Sequence, residues 1–223
     1  MKRLLLFFTF ILSIPMCAQK LPEGFVFLSD VDATIQSELR YLSNNNFIGK
    51  TIDGYYDNCV IVTTETASAL HKVQTILAKK GLSLKVFDAY RPQRAVDHFV
   101  KWARVLQDTL MKQKYYPQVS KSELFNSGYI ASKSGHTRGS TVDLTIINLK
   151  TSKELDMGSP YDFFGVQSHP YYKNISENQK KNRFYLREIM LANNFKPYGY
   201  EWWHFTLRNE PFPKTYFNFP IKD

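Results

Sequence analysis

Two short segments carry side chains whose types and spacing suit metal-assisted chemistry. The first runs Ser134-Gly135-His136-Thr137-Arg138-Gly139-Ser140-Thr141-Val142-Asp143. A glycine-flanked histidine leads into an apolar strand whose first polar residue is Asp143. An unpaired carboxylate in such a strand is costly, and a cation is its simplest partner. The second segment, Glu201-Trp202-Trp203-His204, sets a carboxylate and an imidazole three residues apart among large aromatics. In a regular strand those two would face opposite ways, so the backbone must turn or bulge between them. His136, Asp143 and His204 would supply three N/O ligands, the number a catalytic zinc site takes from protein. Two histidines and one carboxylate also suit iron. Glu201 is then a spare carboxylate able to take a proton from water made acidic by the metal. From these residues alone, His136 and His204 as ordinary core or loop side chains stay an open alternative.

The other candidates for chemistry are few. His71 and His98 fall on helix-like segments and read as exposed or part-buried helix residues, and His169 lies in a loop and carries no second signal. Only two cysteines exist, Cys17 and Cys59, so there is no disulfide framework and no cysteine-rich metal site. Met1-Lys2-Arg3 followed by the apolar run Leu4 to Ile14, Pro15 and Ala18 reads as a secretory signal peptide over residues 1–18. Residues 19–223 form the expected mature domain. The run is too short for a membrane span, which takes ~20 residues. A lipid anchor at Cys17 is the less favoured form of export, because Met16 precedes it. Export places the protein in the periplasm or cell envelope. The formal charge is +9, which suits anionic envelope polymers. The basic residues are scattered, and export removes nucleic acid as a partner. The densest cluster, Gln179-Lys180-Lys181-Asn182-Arg183, reads as a solvated helix face.

The elements that must position these side chains follow from periodicity. Gly24 to Leu28 is a short strand candidate. Thr63 to Lys80 has helical spacing at Ala67, Leu70, Val73, Ile76 and Leu77, with Gly81 as a stop. Leu82 to Phe87 alternates as a strand and ends at Asp88. Arg91-Pro92 opens a second helix with Ala95, Phe99, Trp102, Val105 and Leu106 on one face. Tyr115 to Lys133 is irregular, Val142 to Ile147 is a strand, and Asn178 to Ala192 is a third helix. His204 to Leu207 is a last strand, and the aromatic tail from Pro211 wraps the body. At 223 residues with 43% apolar and 22% charged side chains, this is one globular domain with elaborations. No glycine-rich strand-to-helix turn appears, which excludes dinucleotide and P-loop folds. The expected class is α+β, a single domain with a central antiparallel sheet flanked by helices.

Ser134-Gly135-His136 through Asp143 with Glu201-Trp202-Trp203-His204 resembles the Ser-x-His-x6-Asp and Glu-x-x-His signatures of zinc D,D-peptidases of the M15 type. Further blocks follow in order: Asn46-Phe47-Ile48-Gly49-Lys50 with Gly54-Tyr55, Asp88-Ala89-Tyr90-Arg91-Pro92, Ala131-Ser132-Lys133-Ser134, Met157-Gly158-Ser159, and the tail Pro211 to Pro220. Together these are similar to the VanX-type D-alanyl-D-alanine dipeptidases, from about residue 23 to the C-terminus.

The resemblance implies a Hedgehog/D,D-peptidase-like fold and one zinc ion per chain on His136, Asp143 and His204. It implies Glu201 as general base and Arg91 as support for the oxyanion. Without it, Arg91 reads as a helix-start arginine paired with Asp88. The resemblance also places Asp162 and Tyr41 near a substrate ammonium and Ser134 near its carboxylate, although Asp162 could equally be an exposed loop acid. The implied reaction is hydrolysis of D-alanyl-D-alanine to two D-alanines in peptidoglycan turnover. A zinc D,D-carboxypeptidase or endopeptidase acting on stem peptides is the alternative, and a non-catalytic wall-binding module is a third reading. Two departures stand out: the chain looks exported, and Gly135 stands where close relatives carry serine. The sequence leaves the oligomeric state open.

Overall fold

The computed structural model describes residues 20–223. The signal peptide over 1–18 and the anchor at Cys17 lie outside the described residues. Strand β1 (Phe25–Phe27) precedes a single turn, α1 (Leu28–Val31), and a two-residue strand, β2 (Gln36–Ser37). Strand β3 (Ile61–Thr63) runs into α2 (Thr64–Ala78), and β4 (Leu82–Asp88) is followed by α3 (Gln93–Arg104) and the short α4 (Lys112–Tyr115). Strands β5 (Thr141–Asn148) and β6 (Lys153–Glu154), helix α5 (Glu177–Ala192), and strands β7 (Phe195–Pro197) and β8 (His204–Leu207) complete the chain.

Six strands form the main sheet in the order β2-β4-β5-β8-β7, with β6 on the far half of β5. All its pairings are antiparallel except β2 with β4. β1 and β3 make a separate antiparallel pair. The α+β class and the antiparallel centre agree with the sequence. Four strands of two or three residues, β2, β3, β6 and β7, were not expected.

Helix α2 starts where the Thr63 hydroxyl accepts the Thr66 N–H, a side-chain N-cap. It buries Ala67, Leu70, Val73 and Leu77, and Gly81 follows at φ +69°. The expected face of α3 needs a correction. Ala95, Phe99 and Trp102 are buried, but Val105 and Leu106 are 52% and 51% exposed. The helix stops at Arg104, and buried Lys121 donates to the carbonyls of Val105 and Asp108. The exit path is set by this distant cation, so the apolar period runs past the helix.

Arg183 also departs from expectation. It is buried rather than solvated, at 3% exposure. Its guanidinium donates to the carbonyls of Met157, Gln167 and His169 and to the Ser159 hydroxyl. Burial pulls it down to about 10, against the opposing charge of Asp156. Arg183 thereby ties α5 to two loops that support the Glu201 turn. Arg183→Met should strand three carbonyls at ~1–3 kcal/mol each. At ~2–4 °C per kcal/mol, the metal-free Tm should fall by about 10 °C. Thermal melts followed by circular dichroism test this.

The tail closes over the front of the sheet, as the sequence suggests. Phe219 stacks on Tyr90 with centroids 4.0 Å apart, and the Phe217 N–H donates to Thr137 O at 3.0 Å.

Candidate metal centre and its cavity

Three adjacent strands place the central side chains in a row. Asp143 on β5 sits opposite Asp88 of β4 on one side and opposite His204 of β8 on the other. Directly paired residues project from the same sheet face, so all three lie on one side, where Asp143 and His204 line a cavity and Asp88 is buried behind them. His136 comes from a 3-10 turn, Gly135–Arg138, just before β5. Ser134 Oγ caps that turn by accepting the His136 N–H at 3.3 Å. Gly139 ends it at φ +80°, where a Cβ would strike the Phe25 ring. At Gly135 a Cβ would lie 2.7 Å from Thr141 Oγ1, so a side chain there would need that hydroxyl to move.

The turn expected between Glu201 and His204 is present. The His204 N–H reaches back to Glu201 O at 3.4 Å. Trp202 anchors it, with its N–H on Ser168 O and its indole N–H on Ser159 Oγ, both at 3.0 Å. Glu201 Oε2 therefore lies 3.3 Å from His204 Nδ1.

His136 Nδ1 lies 2.8 Å from the Ala89 carbonyl. A carbonyl only accepts, so Nδ1 carries a proton, and in the neutral ring Nε2 presents a lone pair. That lone pair is 3.3 Å from Asp143 Oδ2 and 3.4 Å from His204 Nδ1. His204 Nδ1 is 3.0 Å from Asp143 Oδ1, although the angle makes no hydrogen bond and Oδ1 stays buried without one. One donor atom from each residue lies within 4.8 Å of the others. The set fits zinc: two imidazoles and a carboxylate with a buried, unsatisfied oxygen, and an open side toward the cavity. The local field also favours positive charge. Burial alone would raise the Asp143 carboxyl, but His136 and His204 hold it well below the usual range. Burial works against a charged His204, yet Asp143 and Glu201 push it up to about 9.

Arg91 pairs with Asp88, as the helix-start reading expects. Its Nε and Nη2 each lie 2.8 Å from Asp88 Oδ2. Its Nη2 is also 3.7 Å from Asp143 Oδ2, and its guanidinium covers the Tyr41 and Phe99 rings. Asp88 is further held by the Tyr55 hydroxyl at 2.6 Å. The arginine is therefore fixed in place and faces the cavity.

At the other end, Asp162 is buried, which removes the exposed-acid alternative. It sits at φ +62°, a left-handed conformation that Asp tolerates better than most residues. Its Oδ1 accepts from the Tyr41 hydroxyl at 3.1 Å, and Oδ2 has no partner. Burial and the nearby Asp143 charge raise its carboxyl well above the ordinary range, against the pull of Arg91 and Tyr41. The cavity, about 230 Å³, is lined by all eight residues singled out in the sequence, with Phe99, Tyr129, Lys133 and Tyr198 around them. That is below the ~300–1,000 Å³ of drug-sized ligand sites. Tyr161 had no sequence signal beyond being aromatic. Its hydroxyl lies 3.2 Å from both Asp143 Oδ2 and the Tyr41 hydroxyl. His71 pairs with Asp32 on the surface, and His169 packs beside Tyr200, both away from the donor set.

Comparison with known proteins agrees with this arrangement. The family model described as D-ala-D-ala dipeptidase, peptidase M15, matches residues 22–222. The D-alanyl-D-alanine dipeptidase of Enterococcus faecium is 42% identical over 199 residues, covering 89% of this chain and 98% of that protein. Its counterpart in Enterococcus faecalis is 43% identical with the same coverage. That of Streptomyces coelicolor is 40% identical, over 88% of this chain and 98% of its own length. A match along nearly the whole described chain, over a fold that converges the two signature segments on one cavity, places this protein in the peptidase M15 family of D-ala-D-ala dipeptidases.

Proposed function

We propose that the chain is a zinc metallopeptidase that hydrolyses D-alanyl-D-alanine to two D-alanines. Its zinc ion would sit on His136, Asp143 and His204. The observation that carries the substrate assignment is the small cavity that holds both Asp162, a buried carboxylate with one unpartnered oxygen, and Glu201 beside the donor set. When bound, zinc supplies a Lewis acid for the scissile carbonyl and makes nearby water acidic. Asp162 and the Tyr41 hydroxyl hold the free ammonium through charge-assisted hydrogen bonds. Ser134, at the mouth of the His136 turn, receives the carboxylate. Glu201 takes a proton from the attacking water and returns it to the departing amine nitrogen as the C–N bond breaks. Arg91, clamped by Asp88, donates to the oxyanion that forms between. Phe99, Tyr129 and Tyr198 exclude water around the reacting groups.

The setting is part of the proposal. The basic-then-apolar segment before residue 19 supports export to the periplasm or cell envelope. There the substrate would be dipeptide released in peptidoglycan turnover. Among the described residues no helix is long and apolar enough to cross a membrane.

The test is release of D-alanine by the zinc-loaded chain from D-alanyl-D-alanine and from an acylated D-alanyl-D-alanine peptide. Turnover of the free dipeptide alone is expected. Efficient cleavage of the acylated peptide would instead assign a D,D-carboxypeptidase or endopeptidase.

A further inference from the structure

The Tyr161 hydroxyl stands between the two ends of the cavity. It reaches Asp143 Oδ2 and the Tyr41 hydroxyl, each at 3.2 Å, and Tyr41 reaches Asp162 Oδ1 at 3.1 Å. All four side chains are buried. The Tyr161 ring stacks on Phe87 at 4.7 Å and meets Trp203 edge-on at 5.4 Å. Phe87 precedes Asp88 in β4, and Trp203 precedes His204 of β8. The segments that aim the donor set therefore aim this hydroxyl as well.

Two hydroxyl protons serve three close oxygen pairs. With both carboxylates ionised, Tyr41 gives its proton to Asp162. Tyr161 then has one proton and two acceptors, the Tyr41 oxygen and Asp143 Oδ2. An ammonium at Asp162 that also donates to the Tyr41 oxygen competes for that acceptor and turns the Tyr161 proton toward Asp143.

The geometry points to Tyr161 as a positioning residue that holds the metal-ligand carboxylate of Asp143 and couples it, through Tyr41, to occupancy of the ammonium end. The ammonium half rests on the dipeptidase reading. The Asp143 half needs only a cation on the donor set. A hydrogen-bonded carboxylate keeps one orientation, and loss of such an outer partner lowers metal affinity or activity by ~10–100-fold.

Tyr161→Phe removes the hydroxyl and keeps the ring that packs on Phe87 and Trp203. Zinc affinity is read by competition with a chromophoric chelator, and packing by the Tm of the metal-free chain. The expected result is a zinc affinity about tenfold weaker, a kcat on the dipeptide lower by about the same factor, and an unchanged metal-free Tm. A zinc affinity within twofold of the parent overturns the inference. So does a loss of affinity that accompanies a large drop in metal-free Tm, because Tyr161 is then a packing residue only. The chelator measurement uses no dipeptide. A parent chain inert toward D-alanyl-D-alanine would overturn the dipeptidase reading and the ammonium half, while a weakened zinc site in the variant would still uphold the Asp143 half.

Discussion

Glu201→Gln should lower kcat for D-alanyl-D-alanine by about 10³-fold while zinc still binds at one ion per chain. A positioned general acid–base contributes ~10²–10⁴ in rate. Glutamine keeps the length and shape of the side chain but cannot take up a proton. The substitution leaves the donor set intact, because the three atoms that converge belong to His136, Asp143 and His204. It also leaves the turn intact, since Trp202 holds it through Ser168 O and Ser159 Oγ. KM should change little, because Glu201 lies beside His204 rather than at the Asp162 end. Zinc content by metal analysis and D-alanine release on the same sample check both halves. A residual rate above about a tenth of the parent would move proton transfer to another group, against the usual worth of such a residue.

The donor residues were legible in the sequence because a polar residue in an apolar strand demands a partner. Asp143 is that residue, and the histidines before and after it stand outside the helical patterns, one in a glycine-flanked loop and one three residues after a carboxylate. What the sequence could not supply was register. Asp143 faces His204 and Asp88 because β5 pairs with β8 and β4, and those pairings join segments far apart in the chain. The long helices were legible from their period, although α5 starts one residue earlier than expected, at Glu177, behind a Ser176 and Gln179 capping box. Strands of two or three residues, such as β2, β6 and β7, are too short for an alternation to show.

The misreadings share a physical cause. Arg183 sits in a lysine-rich run that looks solvated, yet its partners are backbone carbonyls of distant loops, which leave no mark in the sequence. Val105 and Leu106 keep the helical period, but Lys121 captures the carbonyls beyond the helix end. Tyr161 looks like one more of 14 tyrosines until its hydroxyl is seen between two others' partners. In each case a single polar tip decides the role, and periodicity reports only the apolar body.

Asp162→Asn should lower kcat/KM for the free dipeptide by ~30–5,000-fold, the effect of removing one member of a buried charged pair worth about 2–5 kcal/mol. Asn also tolerates φ +62°, so the backbone is not the variable. The loss should fall mainly on KM, because the carboxylate meets the ammonium rather than the reacting carbonyl. Stability should move the other way. Burial and Asp143 raise the Asp162 carboxyl in the folded chain, with Arg91 and Tyr41 opposing. A raised acid binds its proton more tightly folded than unfolded, so the parent loses stability as pH rises above the free value of ~3.9. Asn carries no such cost. In melts of the metal-free chains, the advantage of Asp162→Asn should therefore be smallest near pH 4 and grow toward neutrality. A loss carried by kcat with KM unchanged would assign Asp162 to building the loop, and a pH-independent difference in Tm would remove its charge from the account. A loss carried by KM ties the buried carboxylate to the one feature that distinguishes a dipeptide from a wall-bound stem peptide, its ammonium group.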